Sequence, residues 1–156
     1  MAIKQFLHVS ICISDPAKSV PFYRDVLGFK LLREGRYKGA GPSKVFALGD
    51  TDLTVWLMGR DSQRLELIYF GKPKSPARKA KPRANDLGLS HLTVGVDDID
   101  GTVRELKAKG VKVREQSVAS FSGKGARNFV FEDPDGNVIE TYELRPDGKP
   151  PYDAPK

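Results

Sequence analysis

The sequence predicts an α+β protein built from two tandem modules, each a strand, a helix and three further strands (βαβββ), and three observations carry that expectation. The passage 8–32 recurs in outline at 91–113: at a constant offset (91 minus 8, or 83) His8 falls on His91, Ser10 on Thr93, Ile13 on Val96, Asp15 on Asp98 and Val20 on Val103. Each copy opens with alternating apolar and polar residues, the period-two pattern of a half-covered strand, and then changes to helical spacing. Between the copies lies a basic, proline-bearing stretch with no periodicity. The 156 residues thus divide into a first module (1–71), a connector (72–86), a second module (87–144) and a tail (145–156).

In the first module, Asp15 can cap a helix and Pro16 suits its first position; Val20, Tyr23, Val26 and Leu27 form one apolar stripe, and Gly28 ends the turn. Strand-like runs follow at 30–33, 44–48, 51–58 and 64–70. In the second module Asp98 or Asp100 opens the helix, Val103, Leu106 and Lys107 continue it, and Gly110 supplies a left-handed stop. Its strands are expected at 112–115, 127–132 and 137–144, the last two joined by a tight Asp133-Pro134-Asp135-Gly136 turn. One such half alone leaves a sheet face bare, so the two copies are expected to pack or exchange strands around one interior.

Composition removes several classes of function. Hydrophobic residues at 39% and charged residues at 29% support a real core with a wet surface. No apolar run approaches the roughly 18 residues that cross a bilayer, and the first residues lack the pattern of a secretory signal. A cytoplasmic location without membrane partners is the expectation. Cys12 is the only cysteine, which excludes an internal disulfide and a thiolate-rich zinc site. The net charge of +6 resides in Lys72, Lys74, Arg78, Lys79, Lys81 and Arg83, a stretch without an acid that also holds Pro73, Pro76 and Pro82. Aromatic residues able to stack on bases are missing there, so nucleic acid is not expected as a partner. The stretch reads as a solvated linker, with an anion-steering lip as the alternative.

The chemistry concentrates in four residues. The chain's two histidines, His8 and His91, occupy equivalent positions beside equivalent strands. In 64–70, Glu66 shares a strand face with Ile68 and Phe70; in the closing strand, Glu140 shares one with Val138 and Tyr142. A buried, unpaired carboxylate costs several kcal/mol, so two of them converging with two imidazoles suggest a bound divalent cation. Nitrogen and oxygen donors suit Zn, Ni, Co, Mn or Fe. The plainer alternative is exposed glutamates on edge strands and two ordinary core histidines. The glycine-rich stretches 35–44 and 120–127 read as mobile loops that close over a site, bringing Arg36, Lys124 or Arg127 to a substrate anion. The proline-rich tail has no assigned role.

The segments PFYRDVLGFKLLRE, SHLTVGVDDIDGTVRELKAKGVKV and VFEDPDGNVIETYE, in this order, resemble those of the vicinal oxygen chelate superfamily, which includes glyoxalase I, over nearly the whole span 6–144. The resemblance implies two βαβββ modules forming a cupped mixed sheet around one divalent metal ion, and a homodimer. It places the metal ligands at His8, Glu66, His91 and Glu140, with Glu140, opposed by Glu66, as the carboxylate that moves a proton. The activity implied is that of a metal-dependent isomerase, epimerase or lyase acting on a small substrate chelated through neighbouring oxygens. Cys12 and Phe70 stand where glutathione-using members carry arginine and asparagine, which argues against glutathione. A small-molecule binding or antibiotic-resistance protein is the alternative, with Trp56, Tyr69, Phe121 and Tyr142 as its aromatic contacts. An extradiol-type dioxygenase is a further one, disfavoured by Glu66.

Overall fold

Two four-stranded mixed sheets make up the computed structural model, which describes residues 3–77, 83–120 and 127–150. Each belongs to its own unit, Met1–Lys79 and Ala80–Lys156. The first unit runs β1 (Val9–Cys12), α1 (Pro16–Pro21), a π-helical turn (Phe22–Val26), β2 (Lys30–Lys38), α2 (Ala40–Phe46), β3 (Asp52–Arg60) and β4 (Gln63–Lys72). The second runs β5 (His91–Val96), α3 (Ile99–Ala108), β6 (Val113–Ser120), β7 (Arg127–Glu132) and β8 (Val138–Glu143). The strand orders, β1-β4-β3-β2 and β5-β8-β7-β6, are the same arrangement twice. In both, the first strand pairs parallel with the last, and the other pairs are antiparallel.

The helices start as their caps dictate. Asp15 accepts from the Ala17 amide and Asp98 from the Asp100 amide, which satisfies orphan donors of the first turn. Pro21 lacks an N–H, and the chain beyond it widens into the π turn, where the Leu27 amide reaches back to the Phe22 carbonyl at 3.2 Å. Gly28 and Gly110 then take φ of 69° and 73°, a backbone region costly for any other residue.

In unit 1 the helical segment covers one sheet face. Tyr23 and Leu27 are buried, as are Met58, Leu65 and Leu67, and Arg60, beyond Met58 on that face, donates to the Leu27 carbonyl. In unit 2 the Ile99 amide donates to Glu143, and Ile99, Leu106, Phe129, Phe131, Ile139 and Thr141 are buried. Each fully buried aliphatic or aromatic side chain contributes roughly 1.5–3 kcal/mol, so these faces hold the units together. Glu66 and Glu140 necessarily lie on the opposite faces, because adjacent strand residues alternate.

The region between β2 and β3 differs from expectation. The stretch 44–48 is not a strand and 35–44 is not a loop: β2 continues to Lys38, and α2 follows. Gly39 at φ 91° turns the chain into α2, Ala47 at φ 51° turns it out, and the Ser43 hydroxyl bonds back to the Gly39 carbonyl. The Phe46 ring meets Phe70 edge-on at 5.3 Å, a tertiary contact that local alternation does not foretell. Residues 121–126, the heart of the second glycine-rich stretch, and 78–82 of the connector lie outside the described residues.

Candidate functional site

In unit 1 the parallel register sets Ser10 opposite Glu66, and the Ser10 hydroxyl donates to Glu66 Oε1 at 2.9 Å. His8, just ahead of β1, brings Nε2 to 3.6 Å from the same oxygen. In unit 2 Thr93 stands opposite Glu140 and donates to Oε2 at 3.1 Å, while His91 Nε2 lies 3.3 Å from that oxygen. The repeat thus places one imidazole, one carboxylate and one hydroxyl alike in both sheets. All four candidate donors are only partly covered, with side-chain exposures of 35% and 21% for His8 and Glu66 and 43% and 16% for His91 and Glu140.

The surroundings of the two pairs differ. Asn128, a buried β7 residue, donates its amide to Glu140 Oε1 at 3.1 Å, so both oxygens of that carboxylate are engaged. Ser90 Oγ lies 2.8 Å from His91 Nδ1, which leaves Nε2 as the ring nitrogen facing Glu140. At the matching positions unit 1 carries Val55 and Leu7, and Glu66 Oε2 has no partner among the described residues. Beyond Glu66, the same face is apolar: Leu53, Ile68 and Phe70 form a buried cluster with Val55 against it. Sequence reasoning missed Asn128. The signal was available, since an amide within the apolar run 128–131 demands a buried partner.

The structure brings together His8 with Glu66, and His91 with Glu140. Within each unit, two donors stand together, and among the described residues no group of three His, Cys, Asp or Glu side chains is found. Each unit supplies two donors. Their chemistry fits a borderline divalent cation, for each carboxylate is already oriented by a hydroxyl on the neighbouring strand, and the imidazole Nε2 lies beside it.

The arginines expected at a substrate anion are engaged elsewhere. Arg36 pairs across the sheet with Thr54, on the helix side, and clasps Asp52 through two contacts of 2.9 and 2.6 Å. Arg127 clasps Asp100 of α3 at 2.9 and 2.8 Å. These hydrogen bonds hold both aspartates below their usual carboxylate range. Both arginines therefore lie on the faces opposite the glutamates, a consequence of strand parity invisible until the register is known. Lys124 lies outside the described residues. Cys12, on the Glu66 face of β1, is a thiol whose ionisation is pushed up by burial.

Comparison with known proteins agrees with this architecture. The family model described as Glyoxalase/Bleomycin resistance protein/Dioxygenase superfamily matches residues 5–141. The uncharacterized protein YaeR of Escherichia coli is 37% identical over 143 residues, covering 92% of this chain and 98% of its own. Lactoylglutathione lyase of Haemophilus influenzae is 33% identical over 140 residues, covering 89% and 92%. A glyoxalase family protein from Bacillus cereus superposes with a TM-score of 0.78 at 22% identity, over 91% of this chain and 95% of that one, a likeness of fold.

Proposed function

The chain belongs to the glyoxalase, bleomycin resistance protein and dioxygenase superfamily, and from that premise we propose that it is a divalent-metal-dependent lyase, isomerase or epimerase that moves a proton next to a carbonyl of a small substrate. The observation that carries the reading is the duplicated His–Glu pair, each glutamate oriented by a hydroxyl one strand away. His8, Glu66, His91 and Glu140 would hold the ion once both units contribute, within one chain or across a homodimer. When bound, the ion supplies Lewis acidity, which stabilises negative charge developing on substrate oxygens and so acidifies the neighbouring C–H.

The two glutamates divide the remaining work. Glu140, with Thr93 and Asn128 on its two oxygens, is the fixed ligand. Glu66, with one oxygen held by Ser10, has Oε2 available to take a proton from carbon and return it. This assigns to Glu66 the role that the family resemblance gave first to Glu140. Return to the same carbon epimerises; return to its neighbour gives the glyoxalase-type outcome. Phe70, packed against Phe46 where glutathione-using members carry asparagine, supports a substrate other than a glutathione adduct.

The test is a pair of variants, Glu66→Gln and Glu140→Gln, assayed for metal content by elemental analysis and for solvent-deuterium incorporation over hydroxyketones, hemithioacetals and acyl thioesters. The expected result is stoichiometric metal and exchange in the parent, metal without exchange in Glu66→Gln, and weakened metal binding in Glu140→Gln. A parent chain that takes up no metal and is indifferent to chelators would sink the proposal.

A further inference from the structure

The Glu66 face of unit 1 carries three cations, and the one that has a counterpart in unit 2 is neutralised there. The antiparallel register places Lys30 opposite Gly59, Gly59 opposite Arg64, and Arg33 opposite Leu57, which faces Glu66 in turn. Lys30, Arg33 and Arg64 therefore share the Glu66 side of the sheet. All three are exposed, and no carboxylate among the described residues forms an ion pair with any of them. Arg64 makes one hydrogen bond, to the Gln63 carbonyl.

Unit 2 shows what is missing. Arg114 faces Val130, and Val130 faces Glu140, so Arg114 is the counterpart of Arg33. There, however, Glu132 occupies the position of Gly59 and closes the charge, with Arg114 Nη2 2.6 Å from its Oε1. In unit 1 the glycine leaves that place vacant of a carboxylate. The Leu32 side chain and the Arg64 guanidinium lie over it instead, 2.8 and 3.2 Å from where a Cβ would stand. Charge-assisted donors left without a protein acceptor are suited to an anion from outside.

We propose that Lys30, Arg33 and Arg64 form an anion subsite beside the Glu66 half of the metal centre, and that the substrate carries a carboxylate or phosphate group besides its chelating oxygens. Strand geometry sets its reach: roughly 7 Å along β4 from Glu66 to Arg64, and roughly 10 Å across two strand spacings to Arg33. The chelating and anionic ends of the substrate are therefore a few bonds apart. The inference rests on the metal-dependent reading above.

Three hydroxamates separate the two. Propionohydroxamate offers the paired oxygens alone, succinic monohydroxamate adds a carboxylate and phosphoglycolohydroxamate adds a phosphate. Titrated calorimetrically into the cobalt-loaded protein, at least one anionic probe is expected to bind about tenfold tighter than the neutral one, equivalent to roughly 1.4 kcal/mol. Whichever anion gains more identifies the group. Arg33→Glu with Arg64→Glu should abolish the gain, Arg33→Lys with Arg64→Lys should keep part of it, and Arg104→Glu on α3, a single charge reversal placed away from the Glu66 face, should leave it intact. Equal affinity for all three probes, or a gain that survives the double reversal, overturns the subsite while the metal reading stands. Failure of every hydroxamate to bind, with no change in the cobalt spectrum, defeats both.

Discussion

Units 1 and 2 place a histidine, a glutamate and a hydroxyl at matching points of matching sheets, yet surround them differently. Around Glu140 and His91 three polar side chains hydrogen-bond, Thr93, Asn128 and Ser90, with the Arg114–Glu132 pair one step along the sheet. Around Glu66 a single hydroxyl remains, apolar residues fill one side and unpaired cations the other. Duplication of a strand plan fixes where donors stand but not how firmly they are held. The firmness comes from the next layer of side chains, and it can diverge one substitution at a time. Such a division suits a centre in which one carboxylate must stay and the other must move.

The largest expected effect breaks that asymmetry at its strongest point. Asn128→Ala should weaken cobalt or nickel binding about 10–100-fold, the usual loss when an outer-shell partner is removed, and Ser10→Ala should cost less. Calorimetric titration of the two variants checks this, and equal losses would mean that the halves are held alike. A smaller effect concerns α2, which has no counterpart among the described elements of unit 2. Phe46→Ala removes the edge-on contact with Phe70 and should destabilise unit 1 by about 1–2 kcal/mol, read as a lower midpoint in urea, with metal affinity retained.

The smallest effect is electrostatic. Arg127 depresses the Asp100 carboxyl, so the pair stabilises the fold above the ordinary aspartate pKa, near about 3.9, and the contribution is lost as pH falls through the depressed value. Asp100→Asn should therefore melt slightly lower than the parent at neutral pH. The gap should begin to narrow below about pH 4 and close once the pH has passed the depressed value, and it should shrink in high salt because the pair is exposed. A gap that persisted in acid would assign the effect to packing of α3 instead.

Much of this was legible in the sequence because it is periodic. The repeat starting at His8 and His91, the caps at Asp15 and Asp98 and the glycines at 28 and 110 are local signals, and the structure contains all of them. Elements decided by distant partners were not legible. From Arg33 to Leu57 the first unit is eight residues longer (57 minus 33, against 130 minus 114) than from Arg114 to Val130, and α2 occupies the difference. Its first residues read as a loop and its last as an extended run until Phe46 is seen against Phe70. The outward turn of Arg36 and Arg127 depended likewise on register, which no single strand reveals. Candidate ligands could be named, since donor chemistry is written in residue type. Their supports could not, because Asn128 lies twelve residues from Glu140 and meets it only across a strand pair.

Cys12 closes the account of selectivity. It follows His8 and Ser10 on the same side of the first strand, where an ionised sulfur would favour thiophilic metals such as copper or cadmium. Desolvation pushes the ionisation of that thiol up, which disfavours the thiolate form that such metals bind. The donors there that need no ionised sulfur are the His8 imidazole and the Glu66 carboxylate, a nitrogen and oxygen pair that inclines the neighbourhood to borderline rather than soft cations.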